Sequence, residues 1–304
     1  MSDRGVRQPS ADLLETIYQC QQRQTWYEEY ARANGHPPLS FVSSAKLSDS
    51  PVQVAGLIRQ HLHFEIESRV NLRTWEEGLR YFAALIEDAG VMVMVNGVVG
   101  CNTSRKLDPE EFRGFALSHP VAPLIFVNGA DSKSAQMFTL AHELAHLWLG
   151  ESALSDAAPS LIQGPATEQW CNHVAAELLV PLALVPTQVS DDGLFDLTRE
   201  LSKKFKVSTF VVLRRLLDSG ALSRAQFWAA YNAEKERLET LSREKESGGQ
   251  FYPTHANRLG RTFGLAIACD AFEGRTSFTE AISLMAVKKL ATFEELARRF
   301  GAGT

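Results

Sequence analysis

The residues of this chain best suited to chemistry are two histidines four apart, the first followed by a glutamate, in Phe138-Thr-Leu-Ala-His142-Glu143-Leu-Ala-His146-Leu147. On a helix, residues four apart share a face, so both imidazoles can reach one metal ion. Glu143 is then placed to lean over a water at that ion rather than to ligate it. Leu140, Ala141, Leu144, Ala145 and Leu147 are good helix formers, and no Pro or Gly interrupts them. The five-residue pattern alone arises by chance in roughly one chain per hundred, so its surroundings decide its weight.

A catalytic zinc site takes three protein ligands and leaves one position for water, so a third ligand must come from elsewhere. Downstream runs Thr167-Glu168-Gln-Trp-Cys-Asn172-His173-Val-Ala-Ala-Glu177-Leu-Leu-Val-Pro181. Glu168 and Asn172 are four apart and share a helical face. Glu168 is favoured as the third ligand over Glu177, which faces elsewhere, and over His173, which is rotated well away. Asn172 is expected to hydrogen-bond the far nitrogen of a ligating imidazole and fix its tautomer. Two imidazoles and one carboxylate leave residual positive charge on zinc, which lowers the pKa of water there. Glu143 is then the general base, passing the proton to a leaving amine. Tyr231, Tyr252, His173 and His255 are the candidates for a second donor to the oxyanion, each more simply read as polar-tipped packing.

These groups need elements to hold them. Ser10 caps a helix expected to reach about Arg32, and Pro51 opens a second that runs to about His61. Thr74 with Glu77 forms a capping box for a helix that stops near Gly90. The period then changes to that of strands, over Val91 to Val95, Phe112 to Leu117 and Leu124 to Val127. Asn128-Gly-Ala-Asp131 leads into the histidine helix, which ends at Gly150. A polar stretch from about Glu151 to Pro165 follows, then a helix from about Ala166 to Val180, halted by Pro181. Only helices are expected from Asp191 onward, with Ser277/Glu280 and Thr292/Glu295 read as further capping boxes. Glu244-Lys-Glu-Ser-Gly-Gly-Gln250 is the best linker candidate.

Taken together, Phe115-Ala-Leu-Ser, Ala122-Pro-Leu-Ile-Phe-Val-Asn128, the His142–His146 helix, Glu168-Gln-Trp-Cys-Asn172 and Ala175-Ala-Glu-Leu-Leu-Val-Pro181 resemble the ImmA/IrrE metallo-endopeptidases. The resemblance covers about residues 80 to 185 in order and spacing, and no motif position departs from it. It implies one zinc ion held by His142, His146 and Glu168, with Glu143 as base. It also implies a protein substrate of the helix-turn-helix repressor kind, or an antitoxin-like regulator. The expected fold is α+β and mostly helical: a zincin-like domain with a small three-stranded sheet beside the histidine helix, plus a helical C-terminal region. The expected parts are a helical segment over 1–70, the peptidase domain over 71–188, a helical region over 189–247 and a helical segment over 248–304.

A second signal lies at 194–222, a helix, a tight turn ending in Ser208, and another helix. Lys203, Lys204, Lys206, Arg214 and Arg215 make it locally basic. Contact with DNA is the weaker reading, because Phe210, Val211 and Val212 crowd the end where a recognition helix needs polar residues. A hairpin that packs on the peptidase domain or grips a protein is the stronger one. A DNA- or protein-binding regulator with a structural metal, or a toxin component, is the rival to the enzyme. A structural zinc site wants four protein ligands, and three stand out here.

Composition sets the remaining bounds. The 304 residues are 45% apolar and 22% charged, an ordinary globular balance. A net charge of −5 gives no global field toward nucleic acid. Cys20, Cys101, Cys171 and Cys269 lie far apart, the spacing of reduced thiols. The polar N-terminus has no signal core and the apolar runs are strand-sized, so a cytoplasmic protein is expected. His61 and His63 read as surface, Trp26, Tyr27 and Tyr30 as core or interface, and Arg298 and Arg299 as a helix C-terminus.

Overall fold

The computed structural model describes residues 8–156, 165–242 and 251–302. Helix α1 (Ala11–Ala33) opens where Ser10 Oγ accepts the Leu13 amide, and Glu111 in turn accepts from both the Ser10 amide and its hydroxyl. Helix α2 (Pro51–Leu62) starts on its proline and stops where His63 turns left-handed. A short α3 (Ile66–Val70) precedes α4 (Trp75–Asp88). The α4 cap is half of the expected box: Thr74 Oγ1 accepts the Glu77 amide, while the Glu77 carboxylate accepts the amide of Arg73 instead of Thr74.

Strands β1 (Met92–Asn96), β2 (Val98–Val99), β3 (Asn102–Lys106), β4 (Phe112–Leu117) and β5 (Leu124–Asn128) follow, then α5 (Lys133–Leu149) and β6 (Ala153–Asp156). The three expected strands are β1, β5 and β4, neighbours in one sheet, and β6 adds a fourth at the β4 edge. β1 runs parallel to β5, while β4 is antiparallel to both β5 and β6. β2 and β3 form a separate antiparallel ribbon. Neither this ribbon nor β6 has the alternating apolar pattern that betrays a strand: β3 is Asn-Thr-Ser-Arg-Lys, and β6 is four residues within the expected polar stretch.

Alternation along the sheet feeds two cores. Val93, Ala116, Ile125 and Val127 pack with Leu140 and Leu144 of α5, Ile58 of α2 and Phe82 of α4. Met92, Met94, Phe115, Leu124 and Phe126 face the other way, onto Leu13, Trp26 and Tyr27 of α1. That second face is completed by α10 (Phe251–Leu259), α11 (Arg261–Phe272), α12 (Phe278–Leu284) and α13 (Leu290–Phe300), through residues such as Leu259, Phe263, Ile267 and Phe293. The α13 cap corrects the sequence reading: the helix begins at Leu290, so Thr292 lies in its first turn and Ser277 alone caps as expected. The proposed linker, Glu244 to Gln250, lies outside the described residues.

On the first face, α6 (Ala166–Leu179) leads to α7 (Leu194–Phe205), α8 (Thr209–Asp218) and α9 (Arg224–Ser242). The α7–α8 hairpin turns at Lys206, which is left-handed with φ 53°, and Ser208 caps α8. Leu201, Phe205, Val207, Val212, Leu213 and Leu216 belong to the same core as the histidine helix. Arg215 is buried and donates to Val180 O and to Glu177, while the buried Lys206 donates to Lys203 O. Two of the six basic residues in this hairpin are thus spent inside the protein. No helix among the described residues is long and apolar enough to cross a membrane.

Candidate metal centre

Helix α5 is locked at both ends. Ser132 Oγ accepts the Ala135 amide, and Gly150 closes the helix at φ 79°. The turn between β5 and α5 is fastened from within by two fully buried side chains. Asn128 Nδ2 donates to Phe112 O at 3.1 Å while its Oδ1 accepts the Ala130 amide at 3.0 Å. Gln136 Nε2 donates to Gly129 O at 3.1 Å and to Asp131 O at 2.6 Å. These bonds fix the helix against the sheet, and so fix the height and rotation of the residues two turns further on.

Strand β4 supplies the other wall. Phe112 pairs with Asp156 but Gly114 with Ser155, so Arg113 is an extra residue on β4. This bulge switches the facing of the strand: Phe112 and Phe115 both enter the second core, while Gly114 and Ala116 face α5. A Cβ on Gly114 would stand 2.6 Å from Thr139 Cγ2 and 2.8 Å from Phe126 O. Only a bare glycine lets the strand pass this close to the helix.

Between these walls, His142, Glu143 and His146 are all buried, the last two fully. His142 Nε2 lies 3.1 Å from His146 Nε2 and 3.1 Å from Glu168 Oε2, and His146 Nε2 lies 3.2 Å from Glu168 Oε1. Four ligands around zinc at about 2.0 Å are separated by about 3.3 Å, so each imidazole nitrogen stands at nearly that edge length from the other and from one Glu168 oxygen. Two imidazole nitrogens aimed at each other and at one carboxylate make a donor set that fits a divalent cation of the zinc kind. Glu168 is 30% exposed, so the cluster opens to solvent on its α6 side. Among the described residues no other group of three His, Cys, Asp or Glu side chains converges in this way.

The field at the cluster favours positive charge. Burial works to raise the Glu168 carboxyl, but the hydrogen bonds and charges of the two imidazoles together outweigh it and hold Glu168 far below the usual carboxylate range. Burial likewise lowers His146, and Glu168, Glu143 and Glu151 more than reverse this. Cys171, next on α6, is pushed up by burial and by the same carboxylates, and remains a thiol.

The expected Asn172 contact is not formed. Asn172 is buried on α6, yet Nδ1 of both His142 and His146 is buried without a hydrogen-bond partner. Glu177 accepts from Arg215 and from the Leu182 amide and is no part of the cluster, and His173 is exposed. Tyr231 packs among Phe210, Phe227 and Trp228 on α9, and His255 is engaged with Cys101 and Met285 on the opposite sheet face. The Tyr252 side chain lies outside the described residues. Gly114, Asn128 and Gln136 are the positioning residues that sequence reasoning passed over; a glycine inside a strand was the available signal for the first.

Residues 86–217 match the family model of the IrrE N-terminal-like domain, a peptidase family. Over these residues the match supports the resemblance to the ImmA/IrrE family. The family domain starts in the last turn of α4 and ends in α8, so it takes in the sheet, the histidine helix, Glu168 and the α7–α8 hairpin. The ImmA/IrrE resemblance carried by the motifs therefore extends further toward the C-terminus than those motifs reach. Residues 259–299 match a domain of unknown function (DUF8813), which here is α11 to α13. No curated protein matches the chain.

Proposed function

We propose that this protein is a zinc-dependent endopeptidase whose substrate is a protein, of the helix-turn-helix repressor or antitoxin kind. The observation that carries the chemistry is the approach of the two imidazole Nε2 atoms to each other, and of each to one oxygen of the Glu168 carboxylate, at 3.1–3.2 Å, beside a fully buried glutamate on the same helical turn. His142, His146 and Glu168 would hold the ion. When bound, zinc supplies Lewis acidity to a peptide carbonyl and eases the deprotonation of water.

The rest of the work falls to the chain. Glu143 takes a proton from the attacking water and returns it to the leaving amine nitrogen. Its full burial, with Oε1 against Gly114, leaves the carboxylate little room to turn. The partly exposed Glu168 side is where a polypeptide reaches the cluster. Among the described residues three donors converge rather than four, which favours a hydrolytic over a structural site. The four cysteines are free thiols, which suits the cytoplasmic setting we propose.

The test is to incubate the purified chain with the helix-turn-helix protein encoded beside it and to map fragments by mass spectrometry. One discrete cut is expected, absent with Glu143→Gln although that variant retains its metal. Cleavage that persists in Glu143→Gln, or no cut in any such protein, overturns the proposal.

A further inference from the structure

A second cluster of reactive side chains lies on the sheet face opposite the metal centre. Cys101 sits in the turn joining β2 to β3, after Gly100 at φ 56°, and is half-buried. Its Sγ is 3.2 Å from Nδ1 of His255, which is 1% exposed on α10. His255 Nε2 is 2.9 Å from the Met285 carbonyl oxygen. A carbonyl only accepts, so Nε2 carries the ring proton, and Nδ1 of the neutral imidazole is an acceptor facing the thiol.

The charges that act on the pair from the described residues are those of cations. Arg258, three residues beyond His255, pulls the thiol of Cys101 downward, and Arg23 and Lys288 add to the field. Burial is the largest influence on each partner. It raises the thiol of Cys101 against the pull of those cations, and it lowers His255, helped by Arg258 and Arg23. The resting pair is therefore a neutral thiol donating to a neutral base. Nucleophile, base and a group that orients the base stand in contact, with a guanidinium where negative charge would develop.

We propose that Cys101 is a modification site, oxidised by hydroperoxides to the sulfenic acid with His255 as its proton acceptor. The sulfur attacks the terminal peroxide oxygen, an S–O bond forms and the O–O bond breaks. The thiol proton passes to His255 Nδ1 and then to the departing oxygen, which leaves as water or an alcohol. Sulfur loses two electrons and the peroxide gains them. Arg258 stabilises the sulfur as it gives up its proton. The other thiols lack this setting: Cys20 and Cys171 are buried and burial pushes both up, Cys20 to about 12, whereas Cys269 is half-buried and serves as an internal reference.

The full chain would be exposed to substoichiometric hydrogen peroxide with dimedone present, and the adducts mapped by peptide mass spectrometry. Cys101 is expected to label about ten times faster than Cys269. His255→Asn and Arg258→Met should each slow Cys101 labelling about tenfold and leave Cys269 unchanged. Arg258 is partly exposed, so its variant keeps the test decisive should His255→Asn fail to fold. Equal labelling of Cys101 and Cys269, or unchanged Cys101 labelling in Arg258→Met, overturns the proposal.

Discussion

Gly114 on β4 lies against Glu143 on α5, so close that a methyl group on the glycine would stand 3.2 Å from Glu143 Oε1. The same methyl would collide with Thr139 and with the Phe126 carbonyl, a backbone atom that cannot turn aside. Gly114→Ala should therefore shift α5 relative to the sheet by a few tenths of an ångström. We expect peptidase activity to fall by about a hundredfold with metal content unchanged, read as kcat against metal stoichiometry. Unaltered kcat would mean that Glu143 does not depend on this wall.

Glu177 and Arg215 form a buried ion pair that joins the end of α6 to α8. Glu177 also accepts the Leu182 amide, and Arg215 donates to Val180 O. Removing the carboxylate leaves the buried guanidinium with only the longer contact to Asp218, at 3.5 Å, as counter-charge. Glu177→Ala should cost about 3–5 kcal/mol by denaturant unfolding, while metal binding by the folded fraction is retained. Loss of metal with stability intact would instead return Glu177 to the ligand set.

Glu87, near the end of α4, gives a pH prediction. Burial raises its carboxyl from 4.5 to about 7, although Oε1 accepts the Thr262 amide and Arg261 lies nearby. Because the folded value lies above the unfolded one, folding favours the protonated form. The associated stability is complete below about pH 4.5 and is lost as pH rises to about 7. Part of the side chain meets solvent, which limits the loss to about 1–2 kcal/mol. Glu87→Gln should flatten thermal stability across this window and exceed the parent at pH 8; a profile parallel to the parent's would contradict it.

Asn128 ties the end of β5 to both Phe112 O and the Ala130 amide from a fully buried position. Asn128→Ala leaves both groups unpaired and should destabilise the fold by about 2–3 kcal/mol. Asn128→Asp keeps the acceptor and loses the donor, so its cost by equilibrium unfolding should also be substantial. A neutral effect of either would show that water replaces the side chain.

How far the sequence is legible depends on how local the cause is. The bounds of α5 could be read because a periodic run ends at Gly150, and the meeting of His142, His146 and Glu168 follows from helical spacing on two consecutive helices. Ser10, Ser208 and Ser277 cap as read because a cap concerns three neighbouring residues. β6 could not be read, since Ala153–Asp156 is a strand only through its pairing with β4. The bulge at Arg113 depends on the same pairing. Thr292 has the spacing of a cap, yet α13 starts two residues earlier, where Phe293, Leu296 and Ala297 enter the second core. A helical face places Asn172 but does not specify which way an imidazole turns, and neither Nδ1 finds a hydrogen-bond partner.

The central claim is that His142, His146 and Glu168 together bind the ion, and zinc X-ray absorption on the parent and on Glu168→Ala tests it most directly. The account predicts one zinc per parent chain, with two imidazoles and at least one oxygen at about 2.0–2.1 Å. In Glu168→Ala it predicts a weakened or empty site with both imidazoles still in place. Full occupancy and an unchanged shell in Glu168→Ala would contradict it.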